Sequence, residues 1–309
     1  MDNIDFNVSY ENLHLGDFID FGSFGDVYKA HWITESRDIV IKIIKSNESD
    51  ILREIRNLKV LKHQNIVTFY GLAKNLDDRI CMIFEYANCG SLYNFLHNNK
   101  NIEISFDVKL NWMLQIAKGM EYLHSKKKFH RDLKSRNILL FDKYRTIKIC
   151  DFGTVKDLET INTESIGTYV YMAPEISTGG GCYTEKCDVF SFGIVLWEVM
   201  SGIKPFHNYL LMDAIAIQIR IINGERPNIN DIKSYKHSTH IKLMIEECWK
   251  DDPSQRPTMK VLAFFLGFDP YSFVCVPNLM SAAKPLQDIC EEDFRFLKQD
   301  GDILTSNIE

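Results

Sequence analysis

The 309-residue sequence contains no apolar run approaching the ~18 residues that a membrane-spanning helix requires. Its N-terminus, MDNIDFNVSYEN, is acidic and polar, without the basic and apolar regions of a secretory leader. Position 2 is Asp2, not the glycine that N-myristoylation needs. The eight cysteines, Cys81, Cys89, Cys150, Cys182, Cys187, Cys248, Cys275 and Cys290, form no C-x-x-C pair and no His/Cys cluster. That scatter indicates neither a zinc site nor a disulfide framework. Positive charge is in short supply too: 36 Lys and Arg stand against 42 Asp and Glu, a net charge of −6, which does not favour a nucleic-acid partner. What is present is an ordinary globular composition, 45% hydrophobic and 25% charged. These features predict a soluble, cytoplasmic protein with no membrane insertion.

The densest chemistry lies in His130–Asn137, which reads HRDLKSRN. An acid, an amide five residues further on and a lysine between them suit proton acceptance, metal binding and the steadying of a phosphoryl group in flight. Upstream, Ile39-Val40-Ile41-Lys42 is an apolar strand pattern that ends in a cation. Downstream, Asp151-Phe152-Gly153 begins 14 residues after Asn137, and Ala173-Pro174-Glu175 begins 22 residues after Asp151. With these segments in this order, the chain resembles a eukaryotic protein kinase over residues 9–267.

The resemblance implies an α+β, bilobal protein-kinase fold. A small five-stranded β lobe with one helix would occupy residues 9–85, and a larger, mainly helical lobe residues 90–267, with ATP between them. The tail, 268–309, reads as mostly irregular. The strand pattern predicts a lead-in strand over 9–17, further strands over 37–44, 66–73 and 80–87, and a helix after Asp50 that buries Ile51, Ile55, Leu58 and Leu61. Leu110, Met113, Leu114, Ala117, Met120 and Leu123 predict one buried face of a long helix over 108–125. Val189–Met200 is apolar almost all round, as a fully buried helix must be.

The same resemblance implies roles. Asp132 would be the base, and Lys42 and Lys134 the phosphate cations, with Glu54 orienting Lys42. Asn137 and Asp151 would bind Mg2+. The nucleotide would be lined by Ile19, Gly22, Gly25, Val27, Val40, Phe84 and Leu139, with backbone groups of Glu85 and Ala87 meeting the adenine edge. Thr160, Thr163 and Thr168 are candidate regulatory positions in the activation segment, and Arg131 would meet a phosphorylated residue there. Glu175 should pair with Arg256. Cys150, directly before Asp151, reads either as a small buried hydrophobe or as a thiol within reach of an electrophile.

One position departs from the pattern. Counting back from Val27 puts Gly25 and Gly22 in a glycine-rich hairpin, but its first glycine position is Asp20. An acid there adds bulk and negative charge where an anionic ligand approaches. Either Asp20 points to water and only weakens nucleotide affinity, or the chain is a pseudokinase scaffold.

HRDLKSRN, CDFGT, MAPE and CDVFSFGIVLWEV look like the tyrosine-kinase-like group. YTEKCDVFSFGIVLWEVMSG, GERP, ECWKDDPSQRPTM and the length of the activation segment most closely resemble the transforming-growth-factor-β-activated branch of the MAP kinase kinase kinases, with mixed-lineage kinases next. Lys134 and Thr168 favour serine or threonine as acceptor. This resemblance implies MAP kinase kinases as substrates, an adaptor or activator protein as partner, and a stress or immune signalling cascade.

Overall fold

The computed structural model describes residues 5–22, 25–45, 55, 58–99, 104–151, 169–177, 183–209, 212–233 and 238–267. The chain divides into two compact units, one of residues 1–103 and 122–162, the other of residues 104–121 and 163–309.

The first unit is built on an antiparallel five-stranded sheet. Its strands are β1 (Leu13–Gly22), β2 (Gly25–Trp32), β3 (Arg37–Ile44), β4 (Phe69–Lys74) and β5 (Ile80–Glu85), in the order β1-β2-β3-β5-β4. Alternation along β3 sorts its side chains onto two faces. Ile39 and Ile41 enter an apolar core with Ala30, Ala73, Cys81 and Ile83, and Ile43 packs at its margin. Val40 and Lys42 therefore take the opposite face. Register extends that face across the sheet. Val27 pairs with Lys42, Lys42 with Met82, and Val40 with Phe84, and directly opposed residues share a face.

The expected lead-in strand needs correction. Tyr10–Asn12 form a 3₁₀ turn, closed by the Asn12 N–H on the Ser9 carbonyl, and the strand begins at Leu13, where pairing with Trp32 of β2 starts. An extra residue, Ile19, sits between the pairs Phe18–Tyr28 and Asp20–Val27, a β-bulge in the strand. The strand expected from Ile66 starts at Phe69. Ile66 and Val67 are drawn instead to a second sheet: Ile66 bridges Ile149, and the Val67 N–H donates to the Ile149 carbonyl. β5 ends at Glu85, two residues short of the expected strand. The chain then turns over residues 87–90, where the Gly90 N–H donates to the Ala87 carbonyl and Gly90 takes φ 71°, a left-handed conformation that glycine adopts without strain. Of the helix expected after Asp50, Ile51 lies outside the described residues, Ile55 and Leu58–Lys59 are described and helical, and Ile55 and Leu58 are buried.

The second sheet is the hairpin β6 (Ile138–Phe141) and β7 (Thr146–Ile149). It lies in the same unit and is stitched to the segments beside the first sheet by the Ile66–Ile149 bridge, by a Ser91–Leu139 bridge, and by the Asn65 amide donating to the Ile147 carbonyl. The short helix α1 (Leu92–Asn98) starts at Ser91, whose hydroxyl accepts from the Asn94 N–H. The longer α2 (Phe106–Ser125), whose residues up to Glu121 belong to the second unit, buries Leu110, Met113, Ala117, Met120 and Leu123 as expected, together with Trp112 and Ile116. Leu114, expected on the same face, is only half-buried.

In the second unit, α3 (Pro174–Ser177) is followed by α4 (Glu185–Ser201), which is buried from Cys187 to Met200. Its buried polar groups are all answered. The Ser191 hydroxyl donates to the Tyr171 carbonyl, Glu198 accepts from the Tyr171 hydroxyl, and Asp188 accepts from the Tyr183 hydroxyl at 2.6 Å. Thr184 caps its start, and Gly202, at φ 72°, ends it. Among the described residues, the other α-helices of this unit are α5 (Ala214–Ile222), α6 (Ser238–Cys248) and α7 (Met259–Leu266). α6 approaches α4 so closely at Gly193 that a Cβ there would lie 2.6 Å from that of Cys248. Among the described residues, no helix is long and apolar enough to cross a membrane.

Candidate active site

All of the site residues described below belong to the first unit. The loop between α2 and β6 positions Asp132, Lys134 and Asn137 by bonding to itself. The Asn137 N–H donates to the Lys134 carbonyl at 2.9 Å, forming the 3₁₀ turn Ser135–Asn137. The Asn137 side-chain amide donates to the Asp132 carbonyl at 2.8 Å and to its carboxylate Oδ2 at 3.1 Å. Lys134 Nζ reaches the same oxygen at 2.8 Å. Asp132 is buried, at 6% exposure, so the two donors hold it in one orientation. Because Nδ2 of Asn137 is spent on Asp132, its Oδ1 is the atom left for a hard cation.

His130 supports the loop from beneath. Its Nδ1 accepts from the Asp132 N–H at 3.2 Å, and its Nε2 lies 3.0 Å from the Cys150 carbonyl. A backbone N–H can only donate and a carbonyl can only accept, so this arrangement requires the ring proton on Nε2. His130 thus ties the Asp132–Asn137 loop to the residue before Asp151. The Cys150 N–H returns the tie by donating to the Asn137 carbonyl at 2.9 Å. Two non-glycine residues here, Arg131 (φ 68°) and Asp151 (φ 64°), are held in the left-handed region. Each costs on the order of 1–3 kcal/mol, which the surrounding bonds must offset.

β3 delivers Lys42 to this cluster, with Nζ 3.3 Å from Asp151 Oδ1 and the lysine 7% exposed. Burial pushes the Asp151 carboxyl up, but the cations of Lys42 and Lys134, with the hydrogen bond from Lys42, outweigh it and hold the group below the ordinary carboxylate range. An ionised carboxylate and an amide oxygen are a donor set that fits magnesium, which takes few protein ligands and completes its shell with phosphate and water. Among the described residues, no group of three His, Cys, Asp or Glu side chains could hold a metal by itself.

The nucleotide-lining candidates fall largely on one surface. Val27, Val40 and Phe84 share the Lys42 face of the sheet, and the Phe84 ring packs 5.4 Å from that of Phe69. Ile19 is exposed at the bulge, and Leu139 is half-buried on β6. Gly25 has a structural reason of its own, since a Cβ there would collide with the Ile43 carbonyl. Asp20, opposite Val27, falls on the nucleotide face by register, but its carboxylate folds back to accept from the Phe21 N–H at 2.8 Å. At the end of β5, the Glu85 N–H donates to Thr68 and the Ala87 carbonyl accepts from Gly90. Glu54, Thr160, Thr163 and Thr168 lie outside the described residues.

Sequence reasoning missed what the Glu85 carboxylate does. It accepts from Lys148 Nζ at 2.6 and 2.8 Å and from the Thr68 N–H, pinning the end of β5 to β7. The available signal was Lys148 itself, a lone cation in the apolar run Ile147–Cys150.

Cys150 is resolved by its surroundings. Burial, followed by the adjacent Asp151 charge, pushes its thiol far above the ordinary range. Reactivity requires the thiolate. Cys150 should therefore be alkylated by iodoacetamide at neutral pH at least about tenfold more slowly than Cys89, although both residues are half-buried. Peptide mass spectrometry over a time course checks this, and equal labelling would contradict the upward shift of the Cys150 thiol.

A buried acid held by a lysine and an amide, with a second lysine–acid pair alongside, on this sheet and hairpin, is the arrangement of a protein kinase domain. A family profile described as protein tyrosine and serine/threonine kinase matches residues 13–266, and the chain belongs to that family. The family in general uses ATP and Mg2+. Within it, the chain is 38% identical over 283 residues to "Mitogen-activated protein kinase kinase kinase 7" of Homo sapiens, covering 87% of this chain and 45% of that protein. The protein of the same name from Bos taurus is 38% identical, over 87% of this chain and 47% of its own length. That of Drosophila melanogaster is 37% identical over 258 residues, or 82% and 37%. The chain spans less than half the length of these relatives.

Proposed function

We propose that this chain is an ATP-dependent serine/threonine protein kinase of the MAP kinase kinase kinase type, transferring the γ-phosphate of ATP to hydroxyls of MAP kinase kinases. The observation that carries the reading is the buried Asp132 carboxylate, fixed by Lys134 and Asn137 beside the Lys42–Asp151 pair. In this reading Asp132 accepts the proton of the incoming hydroxyl. Lys134, already on the same carboxylate, stabilises the charge that spreads over the phosphoryl oxygens. Lys42 orients the α- and β-phosphates, with Glu54 as its second partner. Asp151 and Asn137 would hold magnesium, whose charge neutralises the β- and γ-phosphate oxygens. The adenine would lie between Val27, Val40 and Leu139, with Phe84 behind it and the backbone at Glu85 and Ala87 along its edge. Phosphorylation at Thr160, Thr163 or Thr168, an activating adaptor protein and a cytoplasmic setting complete the proposal.

Asp20 motivates the rival reading as a scaffold. Its carboxylate is committed to the Phe21 N–H, and every other catalytic position of the motif carries the expected residue, so the enzymatic reading is the better supported. Purified protein should transfer label from radioactive ATP to itself and to a catalytically inactive MAP kinase kinase, and chelation of magnesium should abolish the transfer. No transfer, even with an activating partner supplied, would move the weight to the scaffold.

A further inference from the structure

The hairpin of β1 and β2 carries an aromatic cluster that the proposed mechanism does not use. The bulge at Ile19 creates it. In a regular strand Phe18 and Asp20 would share one face, and Phe21 would lie on the other. The extra residue reverses that order. Phe18 stands opposite Tyr28 and Phe21 opposite Asp26, so both rings take the face of Ile41 and Ile43. Asp20, opposite Val27, takes the face of Lys42. The Phe18 ring centroid lies 4.6 Å from that of Phe21 and 5.5 Å from that of Tyr28. Phe21 is 76% exposed, so its ring contributes little through burial. What the ring contact fixes is the direction of the side chain, and with it the peptide between Asp20 and Phe21.

That peptide carries the N–H that holds Asp20, donating to its Oδ1 at 2.8 Å. The other acid at this end of the hairpin, Asp26, is answered by Lys45 at 2.6 Å. Asp20 meets no cation among the described residues. Its restraint is therefore the Phe21 N–H, and the placement of that N–H depends on the rings behind it.

We propose that Phe21, braced by Phe18 and Tyr28, is a positioning residue for the nucleotide, keeping the Asp20 carboxylate turned back from the phosphates that this hairpin covers. This rests on the kinase reading above. Released from the N–H, the carboxylate would stand free on the Val27 face. It would repel an anionic ligand there, and a neutral ligand would not sense it. The aromatic cluster and the acid at the first glycine position are thus two halves of one device.

The test measures binding directly, by calorimetry with the full chain, using ATP with Mg2+ as the charged ligand and adenosine as the neutral one. The variants are Phe21→Ala, Phe21→Tyr, Asp20→Gly and the double variant Asp20→Gly with Phe21→Ala. Phe21→Ala should weaken ATP by about tenfold and leave adenosine within about twofold. Phe21→Tyr keeps the ring and should match the unaltered chain. Asp20→Gly alone should move ATP affinity by less than about threefold, since the carboxylate is already turned away. In the Asp20→Gly background, Phe21→Ala should have no further effect on ATP, because no carboxylate remains to be released. A ring that merely stiffened the hairpin would still weaken ATP in that background, which overturns the proposal. An equal loss of adenosine overturns it too, as does an unchanged ATP affinity in Phe21→Ala. All three of these results spare the kinase reading. Absence of ATP binding in the unaltered chain and in every variant overturns both.

Discussion

Asp132→Asn should leave the protein folded and reduce phosphate transfer by about 10²–10⁴-fold, the usual contribution of a positioned general base. Asparagine matches the carboxylate in size, so it fits the same buried site. Its amide oxygen can still accept from Lys134 and Asn137, which now bind Oδ2. What it cannot do is take a proton. Thermal melts should therefore coincide with those of the unaltered chain, and nucleotide affinity should be retained. Lys42→Met should cause a comparable loss for a different reason. It strips the cation from Asp151, so burial of that carboxyl is no longer outweighed as fully and the group becomes a poorer ligand. Nucleotide affinity should fall in Lys42→Met but not in Asp132→Asn. Full activity in Asp132→Asn would remove Asp132 as the base.

Much of this site was legible in the sequence because its chemistry is local. His130–Asn137 positions an acid, a lysine and an amide through bonds among themselves, so order along the chain fixes order in space. The Lys42 face was legible through period-2 alternation, since Ile39 and Ile41 in the core dictate that Val40 and Lys42 lie opposite. What stayed hidden depends on contacts between distant segments. The Glu85–Lys148 pair joins residues 63 apart, and nothing in either strand alone announces the other. Ile66 and Val67 read as strand, and they do make ladder bonds, but with β7 instead of β5, a choice set by where the hairpin docks. The bulge at Ile19 and the late start of β1 are decided by the register of β2. Asp20 was ambiguous because sequence places a residue on a strand without saying which donor its carboxylate will find.

The largest stability effect should come from Arg256. Its guanidinium is fully buried and its bonds are made from several sides. It grips Glu175 through two bonds of 2.7 and 2.9 Å and donates to the carbonyls of Lys186 (2.9 Å) and Lys250 (2.8 Å). Phe190 lies under it, with Cζ 5.2 Å from the ring centroid. Arg256→Ala leaves a carboxylate and these carbonyls without their donor, and removing one partner of such a pair costs about 3–5 kcal/mol. In a domain of this size that lowers the melting temperature by roughly 10 °C. Glu175→Leu combined with Arg256→Leu should recover part of the loss, because neither charge is then left buried alone. Acid should reveal the same pair. Burial pushes the Glu175 carboxyl up, but the hydrogen bonds and charge of Arg256 outweigh it and hold it below its ordinary value. A carboxyl depressed in the folded state stabilises the protein above its unfolded pKa of about 4.3, and that contribution fades as pH falls through the depressed value. The stability gap between the unaltered chain and Glu175→Gln should therefore be constant above about pH 5 and narrow below it, as chemical denaturation across that range would measure. If Arg256→Ala unfolds within about 1 kcal/mol of the unaltered chain, the end of the activation segment must be anchored by the apolar contacts of α4 instead.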